Sequence, residues 1–161
     1  MKLATKHFGE IEIQEEEILS FPHGLFAFED KKSFVLIDNE DEKLPFSWLQ
    51  SVDDPGLCFV VMNPFVFKKD YEFDIPQDAV SELEIKAAGD VCVLAVLVIP
   101  EDVSRMTANL LAPLVINIKN RKGKQVILDD KRYTTRHLVL EELGKNARGG
   151  TADVGSKQEE S

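Results

Sequence analysis

The stretch LPFSWLQSVDDPGLCFVVMNP, residues 44–64, decides the fold. It reads as two extended apolar runs around a turn. In the first run Phe46, Trp48 and Gln50 share one face and Ser47, Leu49 and Ser51 the other, because successive side chains of a strand alternate. Asp53-Asp54-Pro55-Gly56 supplies the turn: aspartates that bond nearby backbone, a proline with preset φ, and a glycine free to take φ > 0. Residues 57–62 form a second buried strand, stopped by Asn63-Pro64. The predicted unit is a β-hairpin. It holds no nucleophile, metal cluster or phosphate loop, which points towards binding and away from catalysis.

Strand signals continue on both sides of this hairpin. Residues 3–7 and 10–13 flank Phe8-Gly9 as a short hairpin, and residues 17–21 and 33–38 read as further strands. Short extended runs follow at 65–67 and 71–73. Residues 77–83 form the best internal helix, with Pro76 at its start, where a missing N–H costs nothing. Strands at 83–86, 91–99, 107–110, 114–119 and 124–128 complete the set, with a turn at 120–123. About ten short strands with turns between them predict an antiparallel barrel or sandwich. Long crossover helices for a parallel sheet are missing. A closed barrel is favoured because it removes exposed edges. The expected fold class is therefore all-β: one antiparallel β-barrel-like domain with one short helix, over residues 1–143. Residues 144–161 are glycine-rich and apolar-poor, and a disordered tail is expected there. Residues 135–143 read equally as strand or helix.

A chain of 161 residues with 43% apolar content fits one domain with a proper core. No apolar run reaches membrane-spanning length, and residues 1–13 lack the apolar core of a signal peptide. A cytoplasmic protein without membrane contact is expected. Cys58 and Cys92 lie inside apolar strands and read as small hydrophobes, not as a disulfide. The net charge is −10, unevenly spread. Residues 1–116 hold 9 basic and 22 acidic residues, and residues 117–148 hold 9 basic and 4 acidic. An acidic body repels phosphate backbones, so direct nucleic-acid binding is not expected; a basic protein partner suits it better.

Catalytic and metal patterns fail in turn. His7, His23 and His137 are not spaced as metal ligands, and no H-E-x-x-H, G-x-S-x-G or P-loop pattern occurs. Residues 38–42 (DNEDE) lack the glycine and terminal glutamate of a calcium loop. Asp53 and Asp54 are explained by the turn. No catalytic residue, metal or cofactor is expected. Candidate partner contacts are Glu15, Glu16 and Glu17 with Asp38, Glu40, Asp41 and Glu42, as two parts of an acidic surface. Their plain alternative is a solvated face. Trp48 reads as core, barrel cap or contact residue. Gln50 and Ser51, a polar pair ending a strand beside it, suit hydrogen bonds at a binding edge. Asn109 reads as a partner contact or as a cap on the turn before Pro113.

The same hairpin carries a family resemblance. P-F-x-W-L-Q-S, then P-x-x-x-F and N-P, resembles the flagellar assembly factor family called FliW. Phe8-Gly9-Glu10-Ile11 is similar to its opening hairpin. Phe21-Pro22-His23-Gly24-Leu25-Phe26-Ala27-Phe28-Glu29 is similar to its F-P-x-G-L-x-G-F-E turn, with Ala27 where glycine is usual. Asp70-Tyr71-Glu72, Thr107-Ala108-Asn109-Leu110-Leu111-Ala112-Pro113 and Gly123-Lys124-Gln125-Val126-Ile127-Leu128 follow in the family's order. The resemblance covers roughly residues 3–137. It implies a β-barrel-like domain with one small helix. It also implies a protein that binds flagellin and the RNA-binding translational regulator CsrA, and so relieves repression of flagellin mRNA. Two rival classes stand beside it: a small-molecule enzyme using a barrel mouth, and a small barrel that binds RNA directly.

Overall fold

The computed structural model describes residues 2–5, 8–38 and 46–149. β1 (Lys2–Thr5) and β2 (Gly9–Glu12) form a separate hairpin. The other strands are β3 (Ile18–Ser20), β4 (Ser33–Asp38), β5 (Phe46–Ser51), β6 (Cys58–Met62), β7 (Val91–Val98), β8 (Thr107–Ala108), β9 (Leu114–Asn117), β10 (Lys122–Gln125) and β11 (His137–Leu138). Two helices, α1 (Gln77–Glu82) and α2 (Val139–Gly149), complete the described secondary structure together with short 3-10 turns. The chain is mostly β, as expected.

Seven strands close into a barrel in the order β7-β6-β5-β4-β3-β10-β9, with β9 returning to β7. An odd number of strands cannot close with every neighbour antiparallel. One step must be parallel, and here it is β3 with β10. That step is short: Ser20 pairs with Lys122, and the Ser20 N–H donates to the Arg121 carbonyl at 2.8 Å. The second edge of β7 is shared. Its first half pairs with β9 and its last two residues pair with β8, to which β11 adds.

Alternation sorts the apolar residues into three clusters. Phe34, Leu49, Val61, Leu94 and Leu114 point inward and fill the barrel with Phe21 and Ile116. Residues between them on β6, β7 and β9, such as Met62, Ala95 and Val115, point outward into a second core. Phe67, Tyr71, Leu83, Leu128 and Tyr133 cover that outer face. On the opposite wall Val35 packs under Leu3 and Ile13 from the β1–β2 hairpin.

This second core explains where the expected elements differ. Residues 65–67 and 71–73 are apolar because they anchor the covering segment, not because they are strands. Pro64–Val66 is a 3-10 turn, with the Asn63 Oδ1 accepting from the Phe65 N–H at 2.9 Å. Tyr71 is buried and its hydroxyl donates to the Leu110 carbonyl at 2.7 Å. Residues 83–86 are also not a strand. Glu84 takes φ 56 after α1, and the Leu83 carbonyl accepts from the Nδ2 groups of Asn117 and Asn120 at 2.8 and 2.9 Å. These amides satisfy a helix end that would otherwise carry an orphan acceptor.

The ambiguous stretch 135–143 is both: His137–Leu138 is strand and α2 follows directly. The boundary drawn at residue 143 falls inside α2, which runs on to Gly149. Val139 is buried and so is Glu142, which meets Lys68 at 3.3 Å and His137 at 3.0 Å. These contacts dock the first turn of the helix. Residues 150–161 lie outside the described residues.

The turn at residues 25–28 shows what the glycine that the resemblance implies at position 27 would relieve. Ala27 has φ 71, and the Phe28 N–H closes the turn on the Leu25 carbonyl at 2.7 Å. A left-handed conformation costs a residue with Cβ roughly 1–2 kcal/mol. Ala27→Gly is therefore expected to raise stability by about 1 kcal/mol, less than the full term because glycine is freer when unfolded. Chemical denaturation would read this as a higher midpoint at unchanged slope.

Candidate partner-binding surfaces

Glu15, Glu16 and Glu17 form an exposed 3-10 turn between β2 and β3. The turn is locked by reciprocal bonds with Gln14. The Glu17 N–H donates to the Gln14 carbonyl at 2.9 Å, and the Glu17 Oε1 accepts from the Gln14 N–H at 2.8 Å. Three carboxylates are thus held together at the surface. Glu17 also stands at an open end of the barrel, beside a cleft of 220 Å³ lined by Leu19, Leu36, Cys92, Ile116, Ile118 and Arg121. Leu36 and Ile118 are exposed there, at 38% and 52%. Asp38 follows Leu36 by two positions on β4 and so shares its face. Glu40, Asp41 and Glu42 lie outside the described residues. The apolar cleft itself was missed by sequence reasoning. Its signal was Ile118, an apolar residue just past the end of β9.

Trp48 is on the outer wall of the barrel, half-buried. Its ring meets Phe8 and Phe46 edge-on, with centroids 5.7 and 5.9 Å apart. It therefore belongs neither to the barrel interior nor to a barrel cap. The partly exposed aromatic group it forms ties the β1–β2 connection to β5.

Gln50 and Ser51 are fully buried, at 0% exposure each. The Gln50 amide nitrogen and the Ser51 hydroxyl bond their own turn, while the buried Gln50 Oε1 has no partner among the described residues. The Gln50 Nε2 lies 3.0 to 3.4 Å from the carbonyls of Ser51, Asp54, Pro55 and Leu57. The Ser51 Oγ accepts from the Asp53 and Asp54 amides at 3.1 and 3.0 Å. The expected binding edge is thus the inside of a hairpin loop. A polar pair at a strand end is needed there because the Asp53–Gly56 turn folds back and buries its carbonyls. Asn109 has the capping role weighed above: its Oδ1 accepts from the Ala112 N–H at 2.9 Å. The structure therefore gathers the glutamates into one patch. It does not bring Trp48, Gln50, Ser51 or Asn109 onto that patch.

Electrostatic ties elsewhere are structural. Lys124 on β10 bonds Glu82 at 2.8 Å, and His23 bonds the same carboxylate. Lys124, and after it His23, hold the Glu82 carboxyl below the usual range. Burial pushes the Cys58 and Cys92 thiols up, which makes them less reactive, and both are free. Among the described residues no group of three His, Cys, Asp or Glu side chains could hold a metal ion. No described helix is long and apolar enough to cross a membrane.

Comparison with known proteins gives one consistent result. The FliW protein family model matches residues 2–139. The chain is 51% identical over 145 residues to the flagellar assembly factor FliW of Alkaliphilus metalliredigens, covering 90% of each chain. It is 48% identical over 144 residues to the protein of that name from Caldicellulosiruptor saccharolyticus, covering 89% of this chain and 93% of the relative. A solved structure, described as the crystal structure of the flagellar assembly factor FliW, superposes with a TM-score of 0.80 at 40% identity. It covers 86% of this chain and 96% of that one.

Proposed function

The chain belongs to the FliW family of flagellar assembly factors, and from that premise we propose that it binds flagellin and the translational regulator CsrA in the cytoplasm. The mechanism is partner exchange. Chain occupied by CsrA keeps the regulator off flagellin mRNA. Accumulating flagellin occupies the chain instead and returns CsrA to repression; export of flagellin reverses this. Two proteins drawing on one pool suffice, since each lowers the free concentration available to the other. The role is that of a regulatory binding protein, not an enzyme.

The observation that carries this reading is similarity along nearly the whole chain, at about half the positions, to proteins named for flagellar assembly. Charge supports the regulator as a partner: an RNA-binding protein is basic, and residues 1–54 hold 5 basic and 13 acidic residues. The barrel argues against the rival enzyme. That rival needs a barrel mouth, and here the interior is filled by Phe21, Phe34 and Leu49. The cleft at the barrel end is 220 Å³, below the roughly 300–1,000 Å³ of small-molecule sites. The roomier cleft beside Phe73 and Ile127 is not part of the barrel interior. An acidic body likewise disfavours direct RNA binding.

The carboxylates of Glu15–Glu17 are expected to steer association with CsrA. Steering acts on the on-rate and is screened over about 8 Å at physiological salt. Lysine at all three positions should slow association about tenfold or more at low salt, with little change in dissociation. Added salt should close the gap. Stopped-flow mixing with CsrA at two salt concentrations reads both rates. Equal association rates at low salt would leave the glutamates as solvated surface. Failure of CsrA and of flagellin to bind the wild-type chain at all would sink the proposed function itself.

A further inference from the structure

A cleft of about 720 Å³ lies between two backbone segments that carry N–H groups without partners among the described residues. One wall is the continuation of β10. Val126 and Leu128 are buried, and their N–H groups donate to the Pro113 and Leu111 carbonyls at 3.0 and 2.8 Å. Ile127 and Asp129 alternate with them and are exposed. By the same alternation their N–H groups point to the opposite edge. Neither makes a hydrogen bond among the described residues. The other wall is residues 72–76. There the N–H groups of Phe73, Asp74 and Ile75 are also without partners among the described residues. Such an edge is a ready template for another strand.

Charge and shape narrow the occupant. Glu72, Asp74, Asp129 and Asp130 line the cleft against one cation, Arg132. Arg132 is already engaged, at 2.7 Å from Asp130 and 3.3 Å from Glu72. Asp74 and Asp129 have no ion pair among the described residues. Ile127 is 63% exposed and lines the same cleft as Phe73 and Pro76. Residues 150–161 of this chain hold three acidic residues and one basic, the wrong sign to complement this lining. We infer that the cleft is a strand-addition site for an extended segment of a partner protein in which basic residues alternate with apolar ones. Backbone pairing to Ile127 and Asp129 would supply affinity. Alternation follows from strand geometry, with every second side chain facing the acidic and apolar lining.

The test uses the full chain and a fluorescein-labelled octapeptide of alternating lysine and valine, with alternating glutamate and valine as control. The lysine peptide is expected to bind at least tenfold more tightly than the control. It should also slow hydrogen exchange at the Ile127 and Asp129 amides. Ile127→Pro removes an N–H that no bond among the described residues uses, and residue 126 is already extended, so the fold should survive. Binding to this variant should fall at least tenfold at unchanged circular dichroism. Asp129→Lys, which folds independently of that backbone change, should shift preference towards the glutamate peptide. No binding of the lysine peptide, equal binding of both peptides, or unprotected Ile127 and Asp129 amides would overturn the inference. So would full binding to Ile127→Pro, which would mean attraction by charge alone. Flagellin and CsrA are absent from the assay, so these outcomes do not depend on the family partners.

Discussion

Alanine at Gly24 is expected to destabilise the chain by about 2–5 kcal/mol, from two causes that add. Gly24 has φ +66, and a left-handed alanine costs roughly 1–2 kcal/mol. Its Cβ would also stand 2.6 Å from the Glu29 Cα and the Phe28 carbonyl oxygen, and 2.7 Å from the Glu29 carbonyl carbon. These are backbone atoms of the turn that delivers Leu25, itself 2% exposed, to the barrel core. They cannot swing aside as a side-chain tip would, and overpacking of this kind typically costs about 1–3 kcal/mol. For a chain of this length the melting temperature should fall by roughly 5–20 °C. Gly9→Ala is the control: its φ is +65 but nothing lies within 4 Å of the added Cβ. It should show only the conformational cost. Equal losses for the two variants, measured by calorimetry, would show that the turn at Gly24 has room to spare.

Phe21→Ala should cost about 3–5 kcal/mol, the usual range for an aromatic removed from a core. Phe21 is fully buried, packs edge-on against Phe34 at 5.6 Å between centroids, and covers Gly123 beside the parallel closure of the barrel. A Cβ on residue 123 would lie 2.6 Å from the Phe21 Cε2. Gly123→Ala should therefore be destabilising alone, and much less so once Phe21 is leucine. Such coupling between touching residues is commonly about 0.5–3 kcal/mol. Additive losses in the double variant, by urea titration, would separate the two positions.

Gly123 illustrates what a linear reading misses. By sequence it is the last residue of a turn, and turn chemistry accounts for it. In the fold it is the place where an aromatic ring, about a hundred residues away in sequence, meets backbone. Gln50 teaches the same lesson from the polar side. Its position beside Trp48 suggested a contact edge, but the returning Asp53–Gly56 turn buries it among carbonyls. Neither fact follows from neighbours in the chain. The acidic turn at Glu15–Glu17 was legible as a cluster, because charge is a property of composition. Its position at the end of the barrel was not.

The sequence by itself determined the local units. Period-two alternation and the Asp-Asp-Pro-Gly turn set the β5–β6 hairpin, Pro76 placed the start of α1, and the six family motifs pointed to the family. These are short-range signals, carried by backbone preferences within a few residues. Tertiary structure decided the rest. It decided that closure is made by one parallel pair, Ser20 with Lys122, because seven strands require it. It decided that residues 65–67 and 71–73 are anchors, because the strands they cover bury both faces and so leave an outer apolar surface to be filled. And it decided that the Ile127 and Asp129 amides have no partner among the described residues, because an unused hydrogen bond depends on what distant segments place beside it.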